Sequence, residues 1–507
     1  MHIRKLSLMA ALCLAAGIVA FTRLPARMSS PKRAAAHRMQ PAFLLDTNFA
    51  AANSSEPGFG LFSCQVGRST GQCYDPFQMR HAYGVDSLIA AGFDGRGKTI
   101  VIVDAFQHPK LESQVATYNT FYGLPQFNTG SGPTLTQVAP DGLTPFDPTN
   151  GNMVGWAEEI SLDVEWAHAI APGANIVLEL GADNSDEALI DAVNDAIDNN
   201  RGDVISMSFG EADVCLGPDL TAAWHRAFAN ATRKGITLFA SAGDQGAAQP
   251  SCDGKSWILS ASSPASDPLV TGVGGTELRA ADYCLASLGC DPATHPAPGT
   301  YLSEIGWNEG PTGDFSSSFG TTEAGGGGFS AVWDEPSYQQ GTIHGGKQRG
   351  VADVAYNAAI LHGVLSFLDI PGFGTGFVRF GGTSAGSPQW AALTVIAAQK
   401  AAHSYGFVNG AIYKIGQNAS VAANSFHDVV SGNNTALEAD SNNNGVLVNG
   451  YSAGTGWDAF TGLGSPKAPG VVNGLAQFWA PGQGTAAIAQ SGHGGVKPSA
   501  SPHARPQ

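Results

Sequence analysis

Four short apolar runs constrain the architecture more than any other feature of this chain. Residues 99–105 (TIVIVDA), 175–180 (NIVLEL), 204–208 (VISMS) and 236–241 (ITLFAS) are each of strand length and apolar at nearly every position. A strand without polar alternation is buried on both faces, and that occurs in parallel sheets covered by helices. Helical patterns lie between the runs. Leu189, Ala192, Val193, Ala196 and Ile197 repeat at i, i+3, i+4, i+7 and i+8, which makes one apolar stripe. A second helix is expected over 219–233, ended by Gly235. Strands alternating with helices imply an α/β protein with a mainly parallel sheet and right-handed crossovers. Residues 284–348 and 418–458, dense in Gly, Pro, Ser, Asn or Asp, read as surface loops, and a further helix is expected over 384–401.

The chain has 507 residues and is 43% hydrophobic, so a large core can be buried. Arg4 and Lys5 followed by an apolar run to Phe21 read as an export signal over 1–26, too short to serve as a membrane span. Residues 27–62 read as a short propeptide or linker, and 481–507 as a low-complexity, disordered tail. The first 40 residues hold seven Lys or Arg and no acid, so their removal takes the formal charge from −16 to −23. Such a surface argues against nucleic acid as a partner and is tolerable in acid, where many carboxylates are protonated. Beyond the signal six cysteines remain, an even number that suits disulfides in an exported chain. Cys215 and Cys252 each follow a predicted strand in consecutive β-α-β units. They are expected to pair, leaving Cys64–Cys73 and Cys284–Cys290 as local loops.

Three segments carry chemistry. In Gly381-Gly382-Thr383-Ser384-Ala385-Gly386-Ser387-Pro388 a glycine turn enters an Ala-rich helix, which sets Ser384 at a helix N-terminus. Backbone N–H groups and the helix dipole there favour developing negative charge, as a nucleophilic serine needs, although an ordinary N-cap serine has the same signature. A serine also needs a base. No histidine motif suited to that role lies between the first strand and Ser384. What does occur is Glu159 and Asp163, at i and i+4 on one helix face ahead of Ala171-Pro172-Gly173. Two such carboxyls can share a proton, with one pKa of the pair raised, although a solvated acidic face has the same spacing. The third segment is Ser241-Ala242-Gly243-Asp244-Gln245-Gly246. A protonated Asp244 could donate to an oxyanion, and an Asp-before-Gly turn is the plainer reading.

Taken together, E-x-x-x-D before A-P-G-A, S-x-G-D-x-G, V-G-G-T at 273–276 and G-G-T-S-x-x-x-P resemble the sedolisins, or serine-carboxyl peptidases, over roughly Tyr74 to Trp479. The resemblance implies a subtilisin-like three-layer α/β fold in a peptidase domain over 63–480. It implies Ser384 as nucleophile, Glu159 as base, Asp163 as its partner and Asp244 as the side-chain oxyanion donor. Ser208, Phe209 and Gly210 would bind the substrate backbone, and Asp104 would sit near an extended proton network. It also implies one structural calcium ion, held by Asp428, the Val429 carbonyl, the Gly454 and Gly456 carbonyls and Asp458, a set of hard oxygens. Nearby, Asp440-Ser-Asn442-Asn-Asn444-Gly445 copies the start of an EF-hand loop, but its twelfth position is Tyr451 and not Glu.

The chain departs from that family in two places. The relatives' long N-terminal prodomain is not apparent, and Arg349-Gly-Val-Ala-Asp353-Val-Ala-Tyr356 replaces the family's P-D-V-S. The expected protein is a secreted or periplasmic monomer that acts in acid on protein or peptide substrates, without stable membrane association. One rival is a subtilisin-like enzyme using Asp104 and a histidine such as His168. Another is a non-catalytic secreted binding protein on the same fold.

Overall fold

The computed structural model describes residues 39–41, 44–46, 61–67, 71–311, 322–343 and 347–491. The segment read as an export signal, most of 27–62 and the last sixteen residues lie outside these. The strands that bear on the site are β1 (Gln40–Pro41), β2 (Leu44–Asp46), β3 (Thr99–Ala105), β4 (Leu135–Val138), β5 (Asn175–Gly181), β6 (Val204–Met207) and β7 (Phe209–Ala212). They continue with β8 (Thr237–Ser241), β9 (Ser262–Ser263), β10 (Thr271–Ala280), β11 (Tyr301–Gly306), β12 (Val354–Asn357), β13 (His362–Ile370) and β14 (Gly374–Gly381). The helices are α1 (Gly151–Ile170), α2 (Asp186–Asp198), α3 (Gly217–Lys234), α4 (Thr383–Ala401) and α5 (Gln483–Ser491).

The four apolar runs become β3, β5, β6 and β8, adjacent in an eight-stranded sheet of order β11-β10-β8-β6-β3-β5-β4, with β12 also paired to β10. Every pairing in it is parallel except β10 with β11. The absence of polar alternation follows from what lies on each face. Ile100 and Ile102 of β3 join a core that includes α1 and α4 residues, whereas Val101 and Val103 join a second core with α2 and α3 residues. Helices on both faces of one sheet make three layers, the subtilisin-like arrangement. The stripe of α2 is buried throughout, and α3 ends where Gly235 adopts φ 79°.

Some loop-like stretches hold more order than their composition suggests. Within 284–348 lie β11 and the strands Asn308–Pro311, Thr322–Ala324 and Gly328–Asp334. Their glycines pack against backbone: a Cβ on Gly326 would fall 2.0 Å from the Ala242 carbonyl oxygen. The EF-hand-like segment is the tip of a hairpin between Ala436–Ala439 and Gly445–Val448, and Asp440 Oδ1 accepts the Asn442 and Asn444 amides at 2.8 Å. At the C-terminus the expectation of disorder fails for 483–491, which form α5. Its Ala487 is buried, and Ser491 Oγ lies 3.0 Å from His225 Nε2 on α3. The three disulfides are Cys64–Cys73, Cys215–Cys252 and Cys284–Cys290, the pairing expected from the strand order. Cys284 and Cys290 approach His295, but both sulfurs are spent in their disulfide and offer no thiolate to a metal. Among the described residues no helix is long and apolar enough to cross a membrane.

Candidate active site

The site lies where α1, α4 and the loops after β6 and β8 meet. Gly382 takes φ 113° and ψ 154°, a conformation L side chains avoid, and so turns the chain from β14 into α4. Ser384 is the second residue of that helix and is fully buried. Its Oγ donates to Glu159 Oε2 at 3.1 Å and lies 3.3 Å from the Ser208 carbonyl. Asp163, one turn further along α1, accepts the Ser208 hydroxyl at 2.9 Å on Oδ1. Pro388, the sixth residue of α4, has no N–H to bond the Ser384 carbonyl, which keeps that carbonyl free within reach of the Ser208 hydroxyl.

Glu159, Asp163 and Asp104 form a buried carboxyl cluster. Glu159 Oε1, Asp163 Oδ2 and both Asp104 oxygens have no ordinary hydrogen-bond donor. Burial raises the Glu159 pKa well above the carboxylate range, reinforced by the charges of Asp163 and Asp104. Burial raises Asp163 to about 7, opposed by hydrogen bonds from Ser208 and Glu159. Asp104, at the end of β3, is also raised well above its usual value, by burial and then by Asp163. The arrangement that satisfies these groups holds a proton on Glu159 Oε1, donated to Asp163, while Oε2 still accepts from Ser384. The same burial favours the neutral form of Asp104.

Asp244 stands on the other side of Ser384. Its Oδ1 accepts the Thr383 amide and the Thr383 hydroxyl, each at 2.8 Å, while Oδ2 has no partner. Burial raises its pKa to about 7, Thr383 opposes that rise, and the Glu323 charge adds to it. With Oδ1 occupied by two donors, the proton of the neutral acid belongs on Oδ2. Thr383 is also held by the Gly243 amide, which donates to its Oγ1 at 3.0 Å. The sequence reading did not single out Thr383, although the G-T-S motif contained it.

Ser208 precedes β7, whose Phe209 and Gly210 run antiparallel to β1 on one side while Glu211 and Ala212 pair with β9 on the other. His168 is far removed in role. Its Nε2 meets the Pro125 carbonyl at 2.8 Å, Phe127 packs on its ring at 4.1 Å, and burial lowers its pKa to about 4. The late loop gathers Asp428 and Asp458 about the Gly454–Gly456 turn. Gly456 N donates to both Asp428 oxygens at 3.1 Å, and Gly454 N donates to Asp458 Oδ2 at 3.1 Å. Two carboxylates held by backbone amides and not by basic side chains, beside loop carbonyls, fit a hard dication.

Comparison with known proteins agrees with this geometry. The subtilase family profile matches residues 151–406, which run from the start of α1 past the end of α4. Kumamolisin from Bacillus sp. (strain MN-32) is 32% identical over 416 residues, covering 80% of this chain and 64% of that protein. Sedolisin from Pseudomonas sp. (strain 101) is 33% identical over 282 residues, covering 55% of this chain and 41% of that protein. The chain thus spans less than two thirds of the length of either relative. The structure of Pseudomonas sedolisin, a serine-carboxyl proteinase complexed with pseudo-iodotyrostatin, superposes with a TM-score of 0.63 at 26% identity, over 81% of this chain and 99% of that one. The chain belongs to the subtilase family of serine peptidases, and within it to the sedolisins.

Proposed function

We propose that this chain is a secreted serine-carboxyl peptidase that hydrolyses peptide bonds in acid through an acyl-enzyme on Ser384. The observation that carries the reading is the 3.1 Å hydrogen bond from Ser384 Oγ to Glu159, a carboxyl in the position where a base is required. Ser384 attacks the substrate carbonyl and its proton passes to Glu159 Oε2. As Glu159 gains that proton it releases the one on Oε1 to Asp163, so the pair relays a proton without building charge in a buried place. The oxyanion meets the Oδ2–H of Asp244 and the helix N-terminus of α4. Collapse of the intermediate returns a proton from Glu159 to the leaving amine, and water then repeats the sequence on the acyl group. Ser208, Phe209 and Gly210 offer backbone to an extended peptide. Three disulfides support an oxidising, extracytoplasmic location.

Calcium is proposed at Asp428, Val429, Gly454, Gly456 and Asp458, where it would tie two loops together and take no part in the reaction. The chemistry is tested by hydrolysis of an unstructured protein between pH 3 and 8. Activity confined to acid and lost in a folded Ser384→Ala variant is expected. An optimum near pH 8 would favour a histidine base instead.

A further inference from the structure

One carboxyl beside the catalytic pair takes no part in the proton relay. Glu158 precedes Glu159 on α1 and is half-buried. Burial alone raises its pKa to about 7, with no neighbouring cation or hydrogen bond to offset the cost. The charged groups on the elements about it are engaged elsewhere: Glu159 with Ser384, Glu165 with the Phe367 amide, and Asp369 of β13 with Lys110.

The turn of the helix decides which side of the site Glu158 faces. At about 100° per residue, Trp156 lies roughly 60° from Glu159 in one sense and Glu158 about 100° from it in the other. The Trp156 ring meets that of Phe209 at 6.0 Å, on the side of strand β7. Glu158 is therefore turned the other way, towards the hairpin of β13 and β14, which lies along α1. There the Phe367 amide donates to Glu165 Oε2 at 3.0 Å, and Trp166 Nε1 donates to Ser366 Oγ at 3.1 Å. At the hairpin tip a Cβ on Gly372 would fall 2.3 Å from the carbonyl oxygen of Pro148, two residues before the Asn150 cap of α1. Between these contacts the two elements part. Gly374 and Gly376 share the face of Ser366 by register. A Cβ on either, or on Gly151 or Gly155 of α1, would meet nothing within 4 Å. Glu158 stands one turn in from Gly155, where this groove narrows, and β14 runs on from the groove towards Ser384.

We infer that Glu158 binds a lysine or arginine side chain of the substrate, carried by one of the two residues that follow the cut bond. The inference rests on the peptidase reading above. With the acyl part of the substrate along β7, the departing part leaves on the opposite side of Ser384, into the groove between α1 and the hairpin. A glycine-lined groove admits a long side chain. A carboxyl with no cation beside it favours an ammonium or guanidinium over a neutral group of the same size. Pairing also returns the charge that burial withholds, so the preference belongs to the upper part of the acid range.

The test uses the full chain and fluorogenic peptides of one sequence, compared in pairs at pH 5.5. Each pair differs by lysine against norleucine at one position: the first or second after the cut bond, or the one before it. Mass spectrometry fixes the bond that is cut. Wild type should cleave the lysine member of one of the two later pairs with a kcat/KM about tenfold higher. In Glu158→Gln that ratio should fall to near one, while the ratio at the position before the cut stays as in wild type. Glu158→Lys should invert the preference. Each ratio is read within one enzyme, so a variant that folds in low yield still reports. A wild-type ratio near one at both later positions would overturn the inference even if neither variant folds, and so would a lysine preference that survives Glu158→Gln. Either result would leave the peptidase reading standing, whereas failure to cut any of the peptides would overturn both.

Discussion

A single hydroxyl bears on Asp244, the proposed oxyanion donor. Thr383 occupies Asp244 Oδ1 with its amide and its Oγ1, which leaves Oδ2 as the place for the proton. Thr383→Val keeps the shape and the amide bond and removes the hydroxyl. Loss of an aligned oxyanion donor typically costs about 100-fold in kcat, and a misaligned one should cost about 10-fold, with KM little changed. Because the Thr383 bonds lower the Asp244 pKa, their partial loss should also move the alkaline limb of the pH profile upward. Thr383→Ser should restore both. Ordinary damage to packing would not move the pH limb. At this scale the sequence was informative about residue types and poor about partners. Ser384, Glu159, Asp163 and Asp244 stand out by motif, and the geometry brings them together. The Thr383–Asp244 bond, and that of Ser208 to Asp163 at 2.9 Å, join residues 139 and 45 positions apart, a proximity that no local pattern carries. Arg349 and Asp353 are a similar case. The departure from the family's pattern there is a buried ion pair, in which Asp353 also accepts the Tyr413 hydroxyl at 2.8 Å.

At the scale of elements, apolar runs and helix periodicity placed the central sheet and its covering helices, because burial on both faces leaves a direct mark on composition. The glycine-rich stretches left no such mark. Their strands are held by close backbone approach, so their residues look like loop residues, and α5 is a short helix that docks through Gly484, Ala487, Ile488, Gln490 and Ser491. Two predictions belong here. Unreduced peptide maps should show the Cys215–Cys252 link, and the double serine variant should lose about 2–4 kcal/mol of stability through the freed 37-residue loop. In the late loop, Asp458 accepts the amides of Gly454, Phe460 and Thr461, so Asp458→Ala should weaken the turn whether or not an ion is bound. Among the described residues Asp428 accepts from the Gly456 amide alone, which makes Asp428→Asn the cleaner probe. If calcium binds, a chelator should lower the Tm of the wild type by several degrees and leave that variant nearly unmoved. Equal sensitivity in both, or in neither, would exclude the site.

Across the molecule, buried carboxyls outnumber buried arginines and lysines among the described residues, and this ties stability to pH. Asp244 and Glu179 are each raised to about 7 and Asp213 to about 6, in every case chiefly by burial, while Asp163 shares the Glu159 proton and counts with it as one group. Glu159, Asp104 and Glu165 are raised further. In an unfolded chain the same groups titrate at about 4. On these carboxyls the folded protein holds more protons than the unfolded one between about pH 4 and 7. His108, His168 and His427, lowered to about 4 chiefly by burial, and His362, lowered to about 3, oppose this in part, and the more numerous carboxyls make stability fall as pH rises across that window. The full contribution is present below about pH 4 and is lost as the folded groups ionise. A tenfold gain in proton affinity on folding is worth about 1.4 kcal/mol for each group, and less where an ion pair such as Arg201 with Glu179 offsets burial. The protein should thus melt at a higher temperature at pH 4 than at pH 7.5, by about 5 °C or more, the reverse of acid denaturation. Asp244, the proposed oxyanion donor, contributes to this loss, and its ionisation above about pH 7 should also limit activity. Asp244→Asn, which cannot ionise, should flatten part of the slope and, where it retains activity, carry that activity to higher pH. A Tm that rises from pH 4 to 7.5 would show that these carboxyls are not held neutral in the folded protein.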